Sequence, residues 1–340
     1  MNRFQYILRR LILSVIVLFG VVTITFVVAR LIPSDPARMM VGPRAKAEQV
    51  ARMREEMGLD RPLHEQFIQY VGSLLRFDFG VSFSNRLEIS TQLKQFLPAT
   101  LELVFISVFL AVIIGIPLGV ITSARPNSWL DQIIRVVTIS GVSVPTFFLA
   151  LILQIIFFQQ LGWLPLAGRL SRDIVLYNPV EVQTGFYLID TLITGNWPAF
   201  GSALVHVILP ALTLAVYPIS LIARVTRASM LEVLSENFIR SARASGLPEW
   251  MILSQLALKN AVSPALTLVA LSAAYSITGA FLVETVFVWP GIGQFAFTAV
   301  EAVDFPVILA ITLVVTISYI LINLLVDVIQ AMLDPRVTLD

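Results

Sequence analysis

The stretch Phe238–Pro264, "FIRSARASGLPEWMILSQLALKNAVSP", lies between two long apolar runs and carries Arg240, Arg243, Glu249 and Lys259. Its centre is small: Ser241, Ala242, Ala244, Ser245 and Gly246. Phe238 to Gly246 reads as a short helix. Gly246 ends it, because glycine takes positive φ without a Cβ penalty. Leu247 then leads into Pro248, which suits the first turn of a new helix. Leu253, Leu256, Ala257 and Val262 continue from Trp250 toward the next apolar run. Two readings fit this pattern. One is an ordinary loop rich in arginine. The other is a short helix held by a rigid corner, with small side chains that let a partner's surface come close and arginines that pair with its carboxylates.

The surroundings set the class. The chain has 340 residues, 57% hydrophobic and 13% charged, with a mean hydropathy of +0.86. That composition belongs to an integral membrane protein. Six windows of about 20 or more mostly apolar residues predict spanning helices: 11–32, 100–122, 134–158, 203–223, 264–288 and 306–328. The first is longer than the apolar core of a cleaved signal peptide, so it reads as a retained span. Pro117, Pro145, Pro210 and Pro218 fall inside spans, where neighbouring helices tolerate them and kinks form. The expected fold is an all-α membrane protein of six transmembrane helices.

Basic residues give the expected orientation. With the N-terminus in the cytoplasm, the inner segments hold Arg3, Arg9, Arg10, Arg125, Arg135, Arg224, Arg227, Arg240, Arg243, Lys259 and Arg336, whereas the loop at 289–304 has neither Lys nor Arg. Both termini are then cytoplasmic, and so is the opening stretch. In the long first outer loop, Leu63, Phe67, Tyr70, Val71, Leu74 and Leu75 recur at helical spacing and predict an amphipathic helix against the membrane or the bundle. In the second, Trp163, Tyr177, Phe186, Tyr187, Trp197 and Phe200 read as an interfacial belt or a docking surface for a soluble partner.

Several function classes are disfavoured. A net charge of +1 gives no bulk electrostatic case for nucleic acid. No cysteine is present, and His64 and His206 lie far apart. There is no G-x-x-x-x-G-K-[ST], so the chain has no P-loop for nucleotide. There is no G-x-S-x-G, and His64-Glu65 is followed by Ile68 where a zincin needs histidine. Glu102, Gln154, His206, Glu284, Asn323 and Asp327 are the polar residues in or near spans. Such groups are functional candidates, but these lie near span ends or next to free carbonyls, so a structural role is preferred.

Spacing in the opening stretch resembles the cytoplasmic coupling motif of membrane subunits of ATP-binding-cassette importers: Glu-Ala-Ala, three residues, Gly, nine residues, Ile-x-Leu-Pro. Gly246 is the glycine, Ser241 and Ala242 match the alanines, and Leu256 and Leu258 match the Ile and Leu. Arg240 stands in place of Glu, and Lys259 in place of Pro. Further segments resemble the dipeptide and oligopeptide permease branch, in order and over nearly the whole chain: "LIPSDPA", "MGLDRPLHEQFIQYVGSLLRFDFGVSF", "PATLEL", "LGWLPLAGR", "HVILPALTLAVYPI", "VETVFVWPGIGQ" and "NLLVDVIQAMLDPRV".

The resemblance implies a type I importer permease fold. Residues 1–98 would form the first span and a long outer loop, and 99–340 a five-span core with a coupling helix at about 238–248. It implies ATPase coupling through Arg240, Ser241, Ala242, Arg243, Ala244, Gly246, Leu247 and Pro248. The implied partners are a second homologous permease subunit, two ATPase subunits that hold ATP and Mg, and an extracytoplasmic substrate-binding protein, all at a bacterial or archaeal inner membrane. The chain itself is expected to bind no cofactor or metal and to be no enzyme. Peptide is the expected cargo, with glutathione, nickel complexes or opine-like compounds as alternatives. A channel or secondary transporter is the rival class. Trp289, Pro290, Gly291 and Gly293 read first as a structural turn at the outer interface, and second as part of an outer gate or binding-protein contact.

Overall fold

A computed structural model describes residues 3–31, 36–42 and 44–333, with side chains over 9–28, 37–42 and 44–325. Part of "LIPSDPA", the side chains of Arg3 and Asp327, and Arg336 lie outside the described residues. Among the described residues the regular structure is helical, apart from one isolated bridge between Val81 and Glu88. The elements are α1 (Arg3–Leu31), α2 (Pro36–Val41), α3 (Ala47–Glu56), α4 (Leu63–Leu75), α5 (Ile89–Ala124), α6 (Trp129–Ser143), α7 (Thr146–Leu153), α8 (Arg172–Tyr177), α9 (Tyr187–Ile193), α10 (Trp197–Leu234), α11 (Asn237–Ala244), α12 (Glu249–Met251), α13 (Leu258–Ala261), α14 (Ser263–Val286), α15 (Ile292–Glu301) and α16 (Phe305–Leu333). Two π-helical stretches, Gln154–Gln160 and Ile252–Ala257, extend α7 and join α12 to α13.

Among the described residues, five helices are long and apolar enough to cross a membrane: α1, α5, α10, α14 and α16. The third window differs from the single helix expected over 134–158. It is a pair, Trp129–Ser143 and Thr146–Gln160, bent by 114°. The cause is local. Pro145 pushes the preceding residue out of the helical region, and Val144 sits at φ −82°, ψ 126°. Ser128 caps α6 by accepting the Asp131 N–H at 3.3 Å, and Asn196 caps α10 by accepting that of Ala199 at 3.2 Å.

The centre of the bundle is the α5–α10 pair, running in the same direction. Ala99 and Leu103 cluster with Val207 and Leu209 at one end, and Ala111 with Ala215, Ile219 and Ile222 further along. Gly115 and Gly119, one turn apart, let the backbones meet. A Cβ at Gly119 would lie 2.5 Å from the Thr226 Cβ, and one at Gly115 3.0 Å from the Ile222 Cβ. Apolar membrane helices gain nothing from leaving lipid for each other, so close backbone approach at small residues is what holds them. Outward-facing apolar residues such as Phe105 and Phe109 on α5, and Val15 and Phe19 on α1, are more than half exposed, as a lipid-facing surface requires.

The first long loop does contain the expected helix, α4. Its Phe67 meets Phe26 edge-on at 5.2 Å and its Tyr70 lies 5.7 Å from Phe26, so α4 docks on α1. Leu63 and Leu75, assigned to the same stripe, remain exposed at its ends.

Candidate functional site

Two regions concentrate the residues singled out above, at opposite ends of the bundle. The first is the 238–248 segment. α11 covers Asn237–Ala244, and one side chain anchors it: Ile239 is fully buried against Met230, Ile252, Ala257 and Ala261. Gly246 has φ +77° with open space around its Cα, and its N–H donates to Arg243 O while the Leu247 N–H donates to Ala242 O at 3.2 Å. That closes the helix through a left-handed glycine. Pro248 precedes α12, so the helix–corner–helix expected from the sequence is present.

What the corner presents is distinctive. Phe238, Arg240, Ser241, Arg243, Ala244, Gly246, Leu247 and Pro248 are all exposed, and Ala242 is half-buried. Arg243 reaches back over the corner, its Nε donating to Glu249 Oε1 at 2.8 Å. It braces the two helices rather than projecting freely. The Arg240 side chain makes no hydrogen bond or ion pair among the described residues. The anchors Ile239 and Ile252 were missed in the sequence; the apolar positions flanking the small cluster were their only signal.

The second region is the turn after α14. Trp289 is 1% exposed, and its Nε1–H donates to Ala99 O on α5 at 2.9 Å. Glu284 is fully buried. Its carboxylate accepts the Thr100 hydroxyl at 2.6 Å, the Gly293 N–H at 2.6 Å and the Gln294 N–H at 3.3 Å. Thr100 Oγ1 in turn accepts the Ile292 N–H at 2.7 Å. Neither glycine of this turn leaves room for a side chain. A Cβ on Gly291 would overlap it, and one on Gly293 would lie 2.5 Å from the Phe281 Cα. Gly291 and Gly293 are buried and Pro290 is half-buried. The four residues therefore form an interior corner whose polar groups are satisfied within the chain.

The other polar candidates are also used internally. Glu102 pairs with Arg169 and accepts the Leu188 N–H at 2.8 Å. The Arg169 guanidinium lies 3.6 Å from the Tyr187 ring centre. His206 Nδ1 lies 2.7 Å from Ser202 O, Gln154 donates to Leu166 O at 3.0 Å, and Asn323 donates to Tyr319 O at 2.9 Å. Asp131 and Asp304 were not singled out in the sequence. Asp131, at the α11 end, accepts both arms of Arg227 at 2.8 Å. Asp304 accepts the Ser82 hydroxyl at 2.6 Å and the Ser84 N–H at 3.0 Å, pinning the first loop to the start of α16. Burial raises the Asp304 carboxyl, but these hydrogen bonds outweigh it and the net direction is down.

Comparison with known proteins adds the following. Residues 115–339 match the family described as binding-protein-dependent transport system inner membrane component, and residues 3–104 match its N-terminal companion. A probable D,D-dipeptide transport system permease protein, DdpB, of Escherichia coli (strain K12) is 46% identical over 95% of this chain and 94% of that protein. The dipeptide transport system permease protein DppB of Alkalihalophilus pseudofirmus is 40% identical, covering 98% of both chains. The glutathione transport system permease protein GsiC of Salmonella choleraesuis is 36% identical, again over 98% of both.

Proposed function

The chain belongs to the family of binding-protein-dependent transport system inner membrane components, and on that premise we propose that it is the first of two homologous permease subunits of an ATP-driven peptide importer. It is a multi-pass membrane protein and a transport component rather than an enzyme. The observation that supports peptide cargo is full-length similarity to dipeptide permeases at 36–46% identity. Similarity to a glutathione permease supports a second reading, in which the cargo is that modified tripeptide.

In this reading two ATPase subunits bind ATP and Mg, an extracytoplasmic binding protein delivers the peptide, and the α11 end of the bundle faces the cytoplasm with both termini. α11 and the Gly246 corner seat in a groove on an ATPase. A ligand shifts an equilibrium only by its differential affinity for two states. ATP must therefore favour the closed ATPase pair, and a coupling element must carry that preference without yielding. Ile239 below and the Arg243–Glu249 brace above supply the stiffness. Arg240, whose side chain has no partner among the described residues, supplies a charge for a carboxylate on the ATPase. At the opposite end, the Trp289–Gly293 corner fixes α15 behind the outer gate.

The test is peptide-stimulated ATP hydrolysis by the complete transporter in vesicles. Gly246→Asp places a charge at the docking face and is expected to abolish stimulation while the complex still assembles. Normal transport by that variant, or transport by the chain without ATPase partners, would overturn the reading.

A further inference from the structure

We propose that one face of α14 and α16 is the wall of a water-filled path for the peptide, and that this wall meets the peptide's main chain rather than its side-chain charges. The inference rests on the importer reading above. On α14, Tyr275 is 64% exposed and Thr278 is exposed. They sit in the middle of the span, and Leu271 and Leu282 bound the exposed row at its two ends. On α16, Thr312 and Tyr319 are exposed, and Thr316 and Asn323 are half-buried. Their spacing of four, three and four residues keeps all four on one helix face. The hydroxyls of Thr278, Thr312 and Thr316 donate to carbonyls of their own helices at 2.9, 2.8 and 2.7 Å, which leaves their oxygens as acceptors. The phenols of Tyr275 and Tyr319 make no hydrogen bond among the described residues.

The two rows look the same way. α15 returns the chain between α14 and α16, so those helices run antiparallel. Ile277 and Phe281 on one and Ile311 and Val315 on the other line a single cavity of about 230 Å³, so these edges face each other. On each helix the polar row lies roughly a quarter turn from that edge, in the same rotational sense at 3.6 residues per turn. Antiparallel helices turned alike from a shared edge present their rows on one side. Lipid is a poor neighbour for this face, because a polar group in hydrocarbon needs a partner. At the same depth the outward row of α5 is Phe105, Phe109 and Ile113, wholly apolar. The wall also lacks charge. Glu284 is the single ionisable acid or base on α14 and is fully buried, and α16 has none over 305–325. Neutral hydroxyls exchange hydrogen bonds with the N–H and C=O groups that every peptide carries, whatever its side chains.

The test exploits the absence of cysteine from the chain. Thr278→Cys, Thr316→Cys and Phe109→Cys are each placed in the complete transporter in lipid nanodiscs and treated with a charged, water-soluble methanethiosulfonate, with labelling read from the mass of this chain. The Leu214 side chain lies 3.5 Å from a Cβ built on Gly279, and Ala215 clusters with Ala111, so Phe109 is a control at the depth of Thr278. Positions 278 and 316 are expected to label and 109 to stay inert. The double variant Tyr275→Phe/Tyr319→Phe should keep its thermal midpoint and import about threefold more slowly or worse, by one factor for acidic, neutral and basic dipeptides. Cysteines at 278 and 316 as inert as that at 109, in a complex that imports peptide, would overturn the path while leaving the importer reading intact. A factor that changes with peptide charge would overturn main-chain contact. Labelling in a complex that moves no peptide would overturn the cargo, and with it the importer reading.

Discussion

Thr100 on α5 and Glu284 on α14 meet through a 2.6 Å hydrogen bond across 184 positions of sequence. The same hydroxyl accepts the Ile292 N–H, so one threonine joins a carboxylate to the backbone of the following helix. Leaving a buried polar group unpaired costs about 1–3 kcal/mol. Thr100→Val removes the acceptor of the Ile292 N–H and one of the three donors to Glu284, and should lower the thermal midpoint of the purified complex, whereas Thr100→Ser should restore most of it. Equal behaviour of the two variants would show that the hydroxyl does not matter.

Gly293→Ala is expected to be worse than its size suggests. The added methyl would lie 2.5 Å from a backbone atom, the Phe281 Cα, and backbone cannot rotate away. We expect a strong loss of folded protein in membranes, seen as reduced yield on fluorescence-detected size exclusion. Gly201→Ala, where a Cβ meets nothing within 4 Å, is the matched control.

Ile239→Ala should loosen the coupling segment without unfolding the bundle. Truncating a buried isoleucine costs about 2–5 kcal/mol, but here the loss falls on a peripheral cluster. Peptide-stimulated ATP hydrolysis should drop while basal hydrolysis and assembly persist. Arg243→Ala should act in the same direction with little change in stability, because an exposed ion pair contributes about 0–1 kcal/mol. Arg240→Glu should also lower stimulation, and unchanged coupling would show that its charge plays no part.

Asp304 gives a pH dependence. Its carboxyl titrates below its ordinary value in the folded chain, so its stabilisation is fully present above the usual carboxylate range. It is lost as pH falls through the lowered folded value. The midpoint difference between the native chain and Asp304→Asn should therefore be largest near neutral pH and shrink on acidification. A difference that grows toward acid would reverse the sign.

The positions of the spans were legible in the sequence because hydropathy over about 20 residues leaves few alternatives. The Gly246 corner was legible too, since glycine followed by Leu-Pro admits few conformations. The break at Val144 was only half visible: Pro145 announces a kink, but not its 114°. Contacts between distant segments stayed hidden. Nothing local reveals that Glu284 answers Thr100, that Asp304 holds residues 82–84, or that Arg243 folds back to Glu249. Gly115 and Gly119 were present as a spacing, yet their meaning depends on Ile222 and Thr226, which the spacing does not name.

That glycine contact restricts how the bundle can deform. With Gly119 tucked beneath the Thr226 side chain, sliding α5 along α10 would drive neighbouring branched side chains into each other. Axial shear between the two helices is blocked, and they must tilt together as a single strut. Deformation then concentrates where the backbone is already interrupted, at Val144–Pro145, which makes the bent pair the natural pivot of the molecule.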